Sequence, residues 1–278
     1  MKGLKSSVRL LTTAMLSLFA NVLVAENVIW YDGQNAVTYA VQKKVDPVVE
    51  VALDMFASDM EAVTDKRAMQ VSEKSAAIRV IQLDRASASI VRSLAKMGVP
   101  VEELKARTDA FHIEVIGGQI TVVGANGRGA AYGVLELSRM AGVSPWIWWG
   151  DLVPEKRDRL TIDSNFKTTQ GASVEYRGIF LNDEDWTTRP WSYGNYEPSG
   201  FGYIGAKTYK RIFQLLMRLR ANAIWPAMHE GTVAFFNVEG AKAVADSCGI
   251  VIGTSHCEPL LRNNVGEWDV KKRGRFNY

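Results

Sequence analysis

Three short apolar runs constrain the fold of this chain more than any other feature. Tyr176–Leu181, Asn222–Pro226 and Gly249–Thr254 are each nearly all apolar, and each ends in polar and aromatic residues. Between them lie segments with apolar residues at helical spacing, Tyr209–Leu219 and Ala241–Cys248. A strand that is apolar on both faces is buried on both faces, which is the habit of parallel sheets covered by helices. Strand, loop and helix thus recur three times, with functional residue types gathered at the C-terminal ends of the strands. That is where (β/α) barrels carry their active sites.

The preceding 140 residues alternate differently. Strands are expected at Val28–Tyr31, Val37–Val41, Ile78–Leu83 and Leu160–Asp163, and helices at Pro47–Val63, Ala86–Met97 and Ala130–Met140. Phe111–Ile116 and Ile120–Val123 flank Gly117-Gly118, the signature of a tight hairpin. The fold class expected is α/β: an N-terminal α/β domain over residues 26–170, then the first part of a (β/α)8 TIM-type barrel over 171–278, with about three of eight strands present. Residues 1–25 read as a signal peptide. Lys2, Lys5 and Arg9 precede an apolar stretch from Leu10 to Val24, and Ala25 suits the position before a cut. That stretch is shorter than the ~20 residues that span a bilayer. The expected location is therefore export, periplasmic or extracellular, with no membrane association after cleavage.

Charge removes other classes. The chain has 33 basic and 30 acidic residues; without the three leader cations the two counts are equal at 30. A neutral chain gives no electrostatic case for nucleic acid. Cys248 and Cys257 stand at opposite ends of one expected strand, roughly 20 Å apart at strand rise, so no bridge is expected. The Gly124–Gly129 loop lacks the GxGxxG spacing of a dinucleotide site, and no GxSxG elbow occurs.

The residues that could carry chemistry fall into three clusters. After the first run come Asn182, Asp183, Glu184 and Asp185, three acids that could transfer protons, bind sugar hydroxyls or cap a turn. A loop rich in Trp186, Trp191, Tyr193, Tyr196, Phe201 and Tyr203 follows; aromatic faces stack on sugar rings, or pack against a neighbouring domain. After the second run come Trp225, His229 and Glu230. After the third come His256, Glu258, Arg262, Asn263 and Asn264, a mixture suited to an anionic, hydroxyl-rich ligand, since guanidinium pairs with carboxylate in a two-point fork. Neighbouring parallel strands would bring His229 and His256 within about 10 Å. Their spacing with Glu258 matches no short zinc motif, so no metal is expected. His112 has no such company and reads as structural. These residues alone point to a sugar ligand, and leave open an enzyme, a non-catalytic carbohydrate-binding protein or an inactive fragment.

At these strand ends the sequence resembles glycoside hydrolase family 115, the α-glucuronidases of xylan breakdown. The resemblance is carried by Gly178-Ile179-Phe180-Leu181-Asn182-Asp183-Glu184-Asp185, by Ile224-Trp225-Pro226-Ala227-Met228-His229, and by His256-Cys257-Glu258-Pro259 running into Arg262-Asn263-Asn264. Gly129-Ala130-Ala131-Tyr132-Gly133 and Ser144-Pro145-Trp146-Ile147-Trp148-Trp149-Gly150-Asp151 resemble that family's N-terminal domain. The resemblance implies inverting removal of glucuronic acid, or its 4-O-methyl ether, from a xylan-derived polysaccharide or oligosaccharide, without a cofactor. It implies Asp183, Glu184, Asp185 and Glu258 as candidate catalytic residues, with at least one catalytic carboxylate expected beyond residue 278. Asn182, Trp225, His229, His256, Arg262, Asn263 and Asn264 would bind substrate. Family members are longer, and parallel strands with an open edge do not close a barrel. The chain is therefore expected to be the N-terminal part of a larger enzyme, with a homodimer among the arrangements open to the full-length form.

Overall fold

The computed structural model describes residues 27–182, 187–198, 202–226, 232–254, 262 and 266–275. The expected signal peptide lies outside them. The first part runs β1 (Asn27–Tyr31), β2 (Thr38–Val41), α1 (Pro47–Thr64), β3 (Met69–Gln70), β4 (Ile78–Gln82), α2 (Ala88–Lys96), α3 (Val101–Ala106), β5 (Phe111–Ile116), β6 (Gln119–Gly124), α4 (Gly127–Met140), β7 (Leu160–Asp163) and β8 (Lys167–Gln170). The second runs β9 (Gly178–Leu181), α5 (Thr188–Trp191) continuing into a π-helical turn at Ser192–Tyr196, α6 (Ala206–Arg218), β10 (Ala223–Pro226), α7 (Ala241–Cys248), β11 (Val251–Ile252) and α8 (Val270–Arg273).

Six strands of the first part form one sheet in the order β3-β2-β4-β6-β5-β8. β3, β2, β4 and β6 are parallel, while β5 is antiparallel to both β6 and β8. The period of two along the central strands divides their side chains between two cores. Ile78 and Val80 of β4, with Ile120 and Val122 of β6, join the cluster that contains α1 and α4. Ile81 and Val123 join a smaller cluster with Leu94 of α2 and Leu104 of α3. The β5–β6 hairpin turns on Gly117 (φ 59°) and Gly118 (φ 81°), two left-handed residues in succession that only glycine adopts without strain. β1 and β7 pair separately as an antiparallel ribbon.

The second part is a parallel sheet in the order β11-β10-β9. Ala223 to Pro226 register with Gly178 to Leu181 on one side, and Ala223 and Ile224 with Val251 and Ile252 on the other. α6 and α7 are its crossover helices. Ile224 of the central strand is fully buried in the same cluster as Phe213 and Leu216 of α6 and Ala245 of α7. Tyr209 packs against Phe213 and, edge to face at 4.8 Å, against Phe235. Burying each such aromatic side chain contributes on the order of 1.5–3 kcal/mol. α1 and α4 in turn pack on α7 and α6, so one core continues through both parts.

The structure is the mixed α/β fold expected, with local differences, among them β3 and α8, for which no element was expected. Residues 188–196 form a helix and π turn rather than a loop, and α3 and β8 were not signalled by periodicity. The third strand is shorter than Gly249–Thr254, because Gly249 (φ 64°) is spent closing α7. No helix among the described residues is long and apolar enough to cross a membrane.

Candidate functional site

The C-terminal ends of β9, β10 and β11 lie side by side along one edge of the parallel sheet. Each expected cluster follows one of these ends in the sequence. Asn182 succeeds β9 and is exposed. Trp225 projects from β10 with 53% of its surface exposed. Its indole lies across β11: a Cβ added to Gly253 would stand 1.9 Å from Trp225 Cδ1 and 2.0 Å from its Nε1. No other residue at position 253 leaves the ring where it is. The open face of the sheet carries Tyr176, Ile179, Phe180, Trp225 and Val251 around an apolar hollow of about 470 Å3.

Arg262 is also described. Its guanidinium donates to Glu267 Oε1 at 2.8 Å with 57% of the side chain exposed, so this cation holds a carboxylate of its own chain. The candidates Asp183, Glu184, Asp185, His229, His256, Glu258, Asn263 and Asn264 lie outside the described residues, as does Cys257. Cys248 is a free, buried thiol, pushed up to about 11 by burial. His112 is buried on β5, where its ring nitrogens meet Thr169 Oγ1 at 2.8 Å and Glu114 Oε2 at 3.1 Å; the two contacts fix the ring within the sheet.

What anchors this sheet at the opposite, N-terminal edge is a buried carboxylate that periodicity did not reveal. Asp109, 2% exposed, precedes β5 in a left-handed conformation (φ 46°). Its Oδ1 accepts from Asn126 Nδ2 and Arg128 Nε, both at 3.0 Å. Its Oδ2 accepts from Arg177 Nη2 at 2.6 Å and Asn222 Nδ2 at 3.1 Å. Arg177 and Asn222 immediately precede β9 and β10, and Asn222 Oδ1 accepts from Arg177 N–H at 2.9 Å. One carboxylate of the first part thus fixes the starts of two strands of the second. Burial works to raise the Asp109 carboxyl; the hydrogen bonds from Arg177 and Asn126 and the charge of Arg128 outweigh it and hold it below the usual carboxylate value. Tyr132, beside it, is pushed up to about 12 by burial and by the Asp109 charge.

A three-stranded parallel sheet with crossover helices, carrying Asn182 and Trp225 at its C-terminal edge, thus packs against the α/β layer of the first part. Residues 169–278 match the model of glycosyl hydrolase family 115. Among solved structures the chain is similar to BtGH115A, described as a family GH115 4-O-methyl-alpha-glucuronidase with specificity for decorated arabinogalactans. Identity is 40% over 90% of this chain and 32% of that one, with a TM-score of 0.79. A mutant β-hexosaminidase of Streptomyces plicatus in complex with its product N-acetylglucosamine shares the fold alone: TM-score 0.52, 10% identity, 83% of this chain and 44% of that one. No curated protein matches the chain. The chain belongs to glycosyl hydrolase family 115, and it spans about a third of the length of BtGH115A.

Proposed function

We propose that this polypeptide is the N-terminal portion of an exported, inverting α-glucuronidase that removes glucuronic acid or 4-O-methylglucuronic acid from a polysaccharide side chain. The observation that carries the proposal is the 40% identity with a 4-O-methyl-alpha-glucuronidase over nine-tenths of the chain. In this reading residues 26–170 are a supporting α/β domain, and 171–278 supply the first three strands of a (β/α)8 barrel. No cofactor is needed, because a glycosidic bond breaks by proton transfer and attack of water.

The strand geometry suits that chemistry. An inverting hydrolase needs an acid and a base roughly 6.5–9.5 Å apart, leaving room for a water between base and sugar. β9 and β11 flank β10, so their ends stand about two strand spacings, ~9.6 Å, apart, at the upper edge of that range. Asp183, Glu184 and Asp185, which follow β9 in the sequence, and Glu258, which follows β11, are the candidates of this chain for that pair, and at least one member is expected from beyond residue 278. Trp225, between them, offers an aromatic face for the sugar ring. Asn182, His229, His256, Asn263 and Asn264 would bind hydroxyls. Arg262 would exchange its single contact with Glu267 for a charge-assisted fork with the uronate carboxylate.

The test is release of the free uronic acid by the native polypeptide isolated from its source. Substrates are a 4-O-methylglucuronoxylan oligosaccharide and a glucuronic-acid-bearing arabinogalactan. Release from either supports the reading, and the better substrate names the backbone. Arg262→Ala should lower kcat/KM at least tenfold on a uronic-acid substrate. Absence of release from both polymers contradicts the reading.

A further inference from the structure

Away from the strand ends, four aromatic residues gather where the first part meets α6. Trp191 and Tyr196 stack at 5.5 Å with an 11° tilt, and Trp148 lies edge-on to both, at 5.9 and 5.0 Å. Trp149 contacts Trp148 at 4.8 Å and donates its indole N–H to the Arg211 carbonyl at 3.2 Å. Two cavities open on this cluster and share Ile147, Trp148 and Trp149 as a common wall. One, of about 410 Å3, is lined also by Tyr196, Lys207, Lys210 and Arg211. The other, of about 580 Å3, is lined also by Thr187, Thr188 and Trp191, and these residues follow closely on the candidate acids at 183–185. Each lies within the 300–1,000 Å3 of an ordinary small-molecule cleft.

The charges in the first cavity are unbalanced. Asp59 is taken by Arg218 in a two-point pair at 2.7 and 2.8 Å, and Asp54 by Arg67 at 2.5 Å. Glu197 is spent on the N-terminus of α6, where it accepts from the N–H groups of Lys207 and Thr208. Among the described residues no carboxylate lies within ion-pair distance of Lys207, Lys210 or Arg211. Arg211 instead stands 4.9 Å over the Trp148 ring and donates to Tyr196 Oη at 3.0 Å. Among the described residues Asp151 is the one carboxylate lining the second cavity. Aromatic faces beside unpaired cations are what a sugar chain carrying carboxylates requires.

We infer that this double cleft is an accessory site for the acidic polysaccharide, binding sugars distant from the one being removed. The site rests on the proposed function for its ligand class, and its position extends that function. Sugar residues would lie across the indole wall, and a neighbouring uronate would meet Lys207 and Lys210. Binding energy gained there would keep the polymer on the protein between cleavages.

Affinity electrophoresis separates the inference from the activity. The full chain is run through gels containing glucuronic-acid-bearing arabinogalactan or the same polymer with its carboxyls reduced to alcohols. The expected result is retardation by the acidic polymer, with Kd raised about tenfold in Lys207→Ala/Lys210→Ala, the size of two exposed ion pairs. Lys207→Arg/Lys210→Arg should retain binding. The carboxyl-reduced polymer should bind both proteins equally and more weakly. Both lysines are exposed, so these substitutions leave folding unchanged. No retardation by the acidic polymer, or equal retardation of wild type and the alanine variant, overturns the inference. Uronic acid release from this polymer and from the 4-O-methylglucuronoxylan oligosaccharide is assayed in parallel: binding without release from either keeps the cleft and sinks the proposed function, and release without lysine-dependent binding does the reverse.

Discussion

Removing the Asp109 carboxylate should loosen the whole second part. Its side chain is 1% exposed, while Arg128 and Arg177, which it pairs, are 28% and 18% exposed. Breaking a buried pair by deleting one partner costs about 3–5 kcal/mol. Both guanidinium groups can recover some water here, so ~2–3 kcal/mol is expected for Asp109→Ala. At 2–4 °C per kcal/mol for a protein of this size, that is a fall in Tm of about 5–10 °C. Asp109→Asn separates charge from conformation, because asparagine tolerates the left-handed backbone at φ 46°. Its amide nitrogen would face donors on at least one side, so it should cost nearly as much as alanine. The pH dependence has a defined sign. A carboxyl lowered on folding contributes stability that is fully present above its unfolded value near 3.9 and is lost as pH falls through the lower folded value. The Tm gap between wild type and variant should therefore be constant above about pH 5 and narrow below pH 4. Calorimetry across that range is the assay. A Tm change under about 2 °C at pH 7, or a gap that widens on acidification, would refute the reasoning.

Three further outcomes follow from the packing. Arg218→Ala strands Asp59, 3% exposed at the α1–α6 contact, and should cost about 3 kcal/mol by denaturant unfolding. Gly253→Ala forces Trp225 off β11; because that indole is half exposed, the shift should appear in its fluorescence and in KM more than in stability. The Cys248 thiol, buried and raised to about 11, should resist a thiol reagent at pH 8 in the folded protein and react at once in denaturant.

Legibility in the sequence followed how local each cause was. α1, α4 and the β5–β6 hairpin could be read because their signals, apolar spacing and a Gly-Gly turn, lie within the elements themselves. β8 has no apolar alternation: Lys-Thr-Thr-Gln pairs only because β5 offers it an edge. The helix and π turn at 188–196 follow Trp, Tyr and Gly residues whose order comes from packing against Trp148 and Trp149, forty residues upstream. Asn182 and Trp225 could be placed at strand ends because those ends are marked by a change from apolar to polar. Asp109 was not, because its partners Asn126, Arg177 and Asn222 are scattered over 113 residues and no periodicity links them. The ion pair that engages Arg262 was hidden for the same reason, its partner Glu267 lying outside the cluster that drew attention.

The proposed activity inverts configuration at an α-linked glucuronic acid. Proton NMR of the first uronic acid released by the native polypeptide tests it most directly, read before the anomers equilibrate. The account predicts that the β-anomer appears first and the α-anomer grows in later. An α-anomer as first product, or no released uronic acid at all, would contradict it.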